Sequence, residues 1–300
     1  MNVIDLFCGC GGLSLGFQEA GFSIVSSFDN WDAATDVYRL NFQHPVHKAD
    51  LMEDEKVVPI VRNYHPDMII GGPPCQDFSS AGCRNENGGR AILTVKFAQI
   101  VSAVRPQWFV MENVANIVKY TKLFEAMNLF RQSGYGISCA VLNAALCGVP
   151  QRRKRFFMVG CLGKRDGFFD DFFKEGLSSR EMTVRDYFGS RLGLNAYYRH
   201  PRSYARRGVF CIDEPSPTIR GVNRPMPRGY KLHHNDPVST LEGVRPLTTL
   251  ERAEIQTFPS DFIWIGKKTE VEQMIGNAVP VKLAEHVGRL IQKYISNKGS

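Results

Sequence analysis

The chain has 300 residues, enough for one large domain or a large domain with a smaller companion. Apolar residues make up 43% and support a packed core, a charged fraction of 22% argues against global disorder, and no apolar run reaches the ~18 residues of a membrane span. The formal net charge of +7 is uneven: from Thr183 to Pro246 eleven Lys and Arg face five Asp and Glu, and ten of the eleven are arginine, whose planar fork suits phosphates and guanine edges.

In chain order, "MNVIDLFCGC" has neither a basic n-region nor a cleavage site, so it does not read as a secretory signal. The expectation is a cytosolic protein with eight reduced cysteines. Cys8 and Cys10 are spaced CxC with no His or Cys cluster nearby, so no metal site is expected. The first half then alternates like a parallel sheet with covering helices. "NVIDLF", "SIVSSFD", "DMIIG" and "WFVMENV" read as strands, and "HKAD" as a short strand end closing on Asp50. "LSLGFQEAGF", "DAATDVYRLNF", "ILTVKFAQIVSAV" and "LFEAMNLFRQSGY" read as helices, the third stopped at Arg105-Pro106. "ISCAVLNAALCG" and "RRKRFFMVGCL" are two more strand-like pieces. After about Met182 the chain turns rich in Pro, Gly, Arg and Tyr, and a smaller domain of short strands and loops is expected. Helical patterning resumes in "LTTLERAEIQTF" and "VPVKLAEHVGRLIQKYI".

"DLFCGCGGLSLGF" is a strand followed by a glycine turn into a helix, the setting of a nucleotide-containing ligand at a strand's carboxyl end. A dinucleotide fingerprint needs G-x-G-x-x-G. Gly9 and Gly11 supply two glycines, but the third position is Ser14, which leaves room for another adenosine ligand. The next strand ends at Asp29, followed by Asn30 and Trp31; an acid there suits a ribose diol, and an aromatic beside it suits adenine stacking. Asp50 is placed to accept from an adenine amino group. Acids at successive strand ends also serve as helix caps.

In "GGPPCQDFSSAG", Cys75 follows an apolar strand and a stiff Pro-Pro and faces a glycine-dotted loop, the placing of a nucleophile. In "VMENVANI", Glu112 sits at a strand end inside an apolar run, where desolvation helps a carboxyl keep its proton. "QRRKRFF" sets Arg153 and Arg155 on one strand face, placed to steady Glu112 or to hold a substrate carbonyl and phosphate.

These blocks, in this order, resemble the DNA (cytosine-5) methyltransferases, bacterial modification-enzyme type. "DLFCGCGGLSLGF" is similar to the cofactor loop, "GGPPCQDFS" to the nucleophile block, "ENV" to the glutamate block and "QRRKR" to the Gln-x-Arg-x-Arg block; "RPLTTLERAEIQTFP" and "MIGNAVP" resemble the two closing blocks. The resemblance implies an α/β fold, a Rossmann-like, mostly parallel sheet of the class I S-adenosylmethionine methyltransferases, plus a small β- and loop-rich recognition domain. It implies a catalytic and cofactor-binding domain over 1–182, a target-recognition domain over 183–270 and a segment over 271–300 that packs back on the first. S-adenosylmethionine, leaving as S-adenosylhomocysteine, would lie against Phe7, Gly9, Gly11, Asp29, Asn30, Trp31, Asp50, Leu51, Pro74, Leu93, Asn277, Ala278 and Val279. Cys75 would add to carbon 6 of a flipped cytosine, Glu112 would bind its amino group and protonate ring nitrogen 3, Arg155 would hold the ring carbonyl, and Arg153 a nearby phosphate or the loop. The resemblance assigns no base for the carbon 5 proton. Gln76 to about Arg90, with three glycines, suits a lid over the flipped base. Gln76, Ser79, Arg90, Arg206, Arg207, Thr218, Arg220, Arg224 and Arg228 are the candidate DNA contacts, with Thr218-Ile219 similar to the family's Thr-plus-aliphatic pair.

Partners follow: duplex DNA, a separately acting restriction endonuclease, no membrane, and a monomer in the bacterial cytosol at the nucleoid. Asp29 stands where many relatives have glutamate, Trp31 lies one position later than in some, and Cys83 in the lid is unusual, an oxidation-sensitive thiol or incidental. His233 and His234 read as loop residues rather than ligands. A tRNA cytosine-5 methyltransferase on the same scaffold is the alternative, but "TFPSDFIWIG" lacks that group's Cys-Phe-Thr block. A catalytically silent relative would have lost the cysteine or the glutamate, and a dehydrogenase is disfavoured by Ser14 and by the lack of a nicotinamide-domain pattern.

Overall fold

The computed structural model describes residues 1–74, 92–203 and 205–298. The chain begins with β1 (Asn2–Leu6), α1 (Gly12–Glu19), β2 (Ser23–Asp29), α2 (Asp32–Asn41), β3 (Val46–Lys48), α3 (Asp54–Asn63), β4 (Met68–Gly71), α4 (Ile92–Val104), β5 (Trp108–Val114) and α5 (Thr121–Gln132). It continues with β6 (Tyr135–Asn143), β7 (Gln151–Arg152) and β8 (Lys154–Leu162). The remainder holds α6 (Val184–Phe188), the short strands β9 (Ala196–Tyr198), β10 (Val209–Cys211), β11 (Ser216–Pro217) and β12 (Arg245–Pro246), then α7 (Thr249–Ile255), α8 (Lys268–Asn277) and α9 (Val281–Lys298).

Among the described residues, seven strands form one sheet in the order β3-β2-β1-β4-β5-β8-β6. Pairing is parallel from β3 through β5, and β8 runs antiparallel to both of its neighbours. Helices cover both faces, so successive residues of one strand feed two cores, and the strands read as continuous apolar runs. Met68 and Ile70, Trp108 and Val110, and Phe157 and Val159 share a core with Phe17 of α1 and Leu283 and Val287 of α9. One residue over, Ile69, Phe109, Met111, Phe156 and Met158 share the other with Val61 of α3, Phe97 of α4 and Phe130 of α5. A third core joins Tyr38 and Phe42 of α2 to Phe210, Phe258, Phe262 and Met274 of the later elements. Within those elements β9 pairs with β10 and β12, while β11 pairs with β7, so the loop-rich region is stitched to the strand end that precedes β8.

Local readings change in four places. Asp54–Asn63 is a helix that the sequence pattern hides, because Pro59 sits inside it and its buried residues are only Val57 and Val61. Lys268–Asn277 is also a helix; a carboxylate, Glu272, is buried among Val271, Met274 and Ile275, which breaks the apolar periodicity. The third strand stops at Lys48, and Arg153 falls in the break between β7 and β8, so Arg153 and Arg155 do not share a strand face.

Candidate active site

The strand order reverses at β1, whose neighbours are β2 on one side and β4 on the other. An open α/β sheet binds ligands at such a point, outside the carboxyl ends of its strands. Here that crevice is the mouth of a cleft of about 2550 Å³ that continues toward the arginine-rich segment.

Backbone geometry shapes the loop after β1. Phe7, Gly9 and Gly11 all take left-handed conformations, with φ of 62°, 53° and 98°. At Gly11, the residue before α1, a Cβ would collide with Phe42 and Tyr38, and this residue does not line the cleft. A Cβ at Gly9 would stand in open space, and Gly9 does line it. Ser14, the departure from the dinucleotide pattern, donates to Asp5 Oδ2 at 2.6 Å. Tyr38 donates to Ser14 Oγ at 2.7 Å and stands 2.6 Å from Ser27 Oγ. A serine therefore closes α1 onto β1 by a buried hydrogen bond where a glycine would do so by close packing. Burial pushes the Asp5 carboxyl up to about 8, against the pull of Ser14.

Asp29 ends β2 with both carboxylate oxygens engaged: Oδ2 accepts from the Gly9 N–H at 2.8 Å and Oδ1 from the Trp31 N–H at 2.9 Å. Burial raises its pKa, and these bonds oppose the rise. Asp50 accepts from the Met52 N–H at 3.0 Å. Phe7, Asn30, Trp31, Leu51, Pro74, Leu93, Asn277, Ala278 and Val279 join Gly9, Asp29 and Asp50 on the cleft wall.

Glu112 lies on β5 opposite Phe157 of β8 and is 7% exposed. Arg155 Nε stands 2.9 Å from its Oε1. Burial raises the Glu112 pKa, while Arg155 and, less strongly, Arg153 lower it. The next residue, Asn113, is buried and donates from Nδ2 to the Pro73 carbonyl at 3.1 Å. The Pro-Pro segment that leads to Cys75 is thus tied to the strand that carries Glu112. Cys75 itself, with Gln76, Ser79, Cys83, Arg90 and the lid reading, lies outside the described residues.

Arg153 is buried, and its guanidinium donates to the carbonyls of Ile219, Gly276 and Ala278 at 3.0, 2.9 and 3.0 Å. It binds β7–β8, the 218–224 strap and the end of α8 together. The strap is held elsewhere too: Thr218 donates to the Arg152 carbonyl at 2.9 Å, and Gln151 Oε1 accepts from the Ile219 N–H at 2.8 Å.

Of the arginines expected at an interface, Arg206, Arg207, Arg220 and Arg224 line the cleft with Thr218, and Arg228 does not. Arg207 is paired with Glu214 at 2.5 Å and lies over the Phe210 ring at 4.4 Å. Arg199 and Arg202 also line the cleft. Burial lowers the Arg220 pKa first, and the charges of Arg202 and Arg224 lower it further; Arg199 falls to about 10 through burial and then Arg220. Arginines close enough to lower the pKa of a neighbour are cations crowded on one wall, a field that attracts polyanions.

A family model described as C-5 cytosine-specific DNA methylase matches residues 1–293. The chain belongs to the C-5 cytosine-specific DNA methylases. This methylase is 54% identical to the Type II methyltransferase M.HindV of Haemophilus influenzae, over 97% of this chain and 96% of that protein. It is 50% identical to the Type II methyltransferase M.HgiDI of Herpetosiphon aurantiacus, over 99% and 96%. The fold is shared with the S. pombe Dnmt2 methyltransferase at a TM-score of 0.72 and 17% identity, covering 98% of this chain and 99% of that one.

Several residues of the candidate site carry little sequence signal. Asp5 and Tyr38 both bond to Ser14, and only the fold shows that the three meet. Arg199 and Arg202 belong to the same run, "YYRHPRSYARR", as Arg206 and Arg207, and charge pattern alone does not rank them. No helix among the described residues is long and apolar enough to cross a membrane.

Proposed function

We propose that this methylase rotates one cytosine of duplex DNA into the cleft and methylates it through a temporary bond to Cys75. A cytosine inside a stacked duplex presents no approach to such a site, and extrusion costs a few kcal/mol. The Cys75 thiolate adds to carbon 6. Glu112 gives a proton to ring nitrogen 3 and accepts from the exocyclic amino group, which relieves the negative charge that the addition creates. Arg155 holds the ring carbonyl. Carbon 5 thereby becomes an enamine nucleophile, and after methylation, loss of its proton expels the thiolate. The observation that carries this reading is Glu112: a buried carboxyl, biased toward its protonated form and next to the Pro73-tied start of the cysteine block, in a cleft shared with the arginine cluster.

The residues at the strand ends fit S-adenosylmethionine. Gly9 leaves open space where a side chain would intrude, Phe7, Trp31 and Leu93 give apolar walls, and Asp29 and Asp50 give acceptors. When bound, that cofactor supplies the methyl group. Arg153 positions rather than touches, since its guanidinium is taken by three carbonyls.

Residues 1–182 act as the catalytic and cofactor unit, 183–270 as the target-reading unit, and 271–300 as a return segment whose α9 shares a core with α1. The names of the two similar Type II methyltransferases support a place beside a separately acting restriction endonuclease; a monomer working on nucleoid DNA in the cytosol completes the proposal. Incubation with tritiated S-adenosylmethionine and either duplex DNA or tRNA tests the substrate. Label in DNA alone is expected; label in tRNA alone would overturn the assignment.

A further inference from the structure

The strap 218–224 is held by a device made of three side chains from three places. Arg252 of α7 and Glu272 of α8 are 5% and 3% exposed and form an ion pair. Glu272 Oε1 also accepts from Thr249 Oγ1 at 2.9 Å and from Asn223 Nδ2 at 3.2 Å. Asn223 Nδ2 lies 2.9 Å from the Leu247 carbonyl, and Arg252 Nη2 donates to the Arg220 carbonyl. The pair therefore grips the strap at residues 220 and 223, on either side of Gly221-Val222. Between the grips, backbone meets backbone: a Cβ on Gly276 of α8 would lie 2.1 Å from the Gly221 nitrogen. Val222, between the grips, and Arg224, just beyond them, line the cleft, and Val222 is 56% exposed.

Burying two charges is costly, and a well-packed apolar pair is often as stable or more so. The best-attested use of a buried ion pair is to fix one arrangement among several. What this one fixes is the part of the strap that carries Val222 and Arg224, two exposed side chains on the cleft wall. An apolar tip such as Val222 suits a thymine methyl, and an arginine such as Arg224 suits guanine; both need placement within a fraction of an ångström to tell one base from another.

We infer that Arg252, Glu272 and Asn223 are positioning residues for DNA site choice, a latch that sets how Val222 and Arg224 meet the base edges. This rests on the reading of the strap as a DNA-contacting element. The test uses the full chain, S-adenosylmethionine and a duplex library of random sequence, with bisulfite sequencing as the readout and thermal unfolding as the folding control. N223A removes one grip without exposing a buried charge; E272Q keeps the acceptor and removes the charge; V222A and R224A alter the tip itself. Both latch variants are expected to lose about tenfold in discrimination between the preferred site and its single-base variants. KM for S-adenosylmethionine should hold, and kcat on the preferred site should fall less than the discrimination does. If V222A and R224A change the sequence profile and folded N223A leaves it intact, the latch is wrong while the strap reading stands. If the tip variants also leave the profile intact, the strap reading fails and the latch with it.

Discussion

Arg155 Nε lies 2.9 Å from Glu112 Oε1, with both side chains almost wholly shielded from water. Burial drives the carboxyl toward its neutral form and the guanidinium draws it back, so its proton affinity is set by two opposed effects, of which burial is the larger. Arg155→Met removes the larger opposing charge, and the Glu112 pKa should rise further. An acid that works protonated loses activity as pH rises through its pKa, so the basic limb of the kcat/KM profile should move to higher pH. Maximal rate should drop by about 10²–10³ as the carbonyl contact is lost. Single-turnover methylation between pH 5.5 and 9 measures both.

Glu112→Gln keeps a hydrogen-bonding group at the same place but cannot give up a carboxyl proton. We expect kcat to fall by about 10²–10⁴. DNA affinity should change little in a gel-shift titration, and the basic limb assigned to Glu112 should disappear from the residual rate.

Asp5 gives a stability prediction of definite sign. Its folded-state pKa, pushed up to about 8 from 3.8, means that the native chain keeps a proton that the unfolded chain releases across that window. Stability therefore falls as pH rises from about 4 to about 8, by at most ~1.4 kcal/mol per pH unit. Asp5→Asn removes this slope while leaving an acceptor for Ser14. The stability of the natural chain relative to Asp5→Asn, from urea unfolding, should decrease steadily between pH 5 and 8.

Arg206 and Arg228 are both exposed arginines of the same region, but only Arg206 lines the cleft. Arg206→Ala should weaken DNA binding and reduce the slope of log K against log salt by about 1, the signature of one lost phosphate contact. Arg228→Ala should leave both unchanged. Fluorescence anisotropy at several salt concentrations separates the two.

Much of the sheet was legible because its strands are buried on both faces and bounded by glycine and proline; "SIVSSFD" and "WFVMENV" coincide with β2 and β5. The helices that escaped are those with a local contradiction: Pro59 inside α3, and a buried carboxylate on the inner face of α8. In the site, Glu112 and the two arginines of "QRRKR" could be brought together from residue type and block order. Arg153 could not be separated from Arg155, because two arginines two residues apart look alike until the chain breaks strand geometry between them. Its three carbonyl partners come from residues 66 to 125 positions away in sequence, a distance no local pattern reports. Glu272 was invisible for the same reason: a carboxylate in a helix reads as solvated until its arginine is found in another helix.

The most direct test of the central claim is a trapping experiment on Cys75. Duplex DNA with 5-fluorocytosine in the modified position lacks the proton whose loss releases the thiol. With S-adenosylmethionine, the natural chain should form a denaturation-resistant adduct that peptide mapping places on Cys75, and Cys75→Ser should bind the duplex without forming one. Methyl transfer at the normal rate with no adduct at residue 75 would contradict the account.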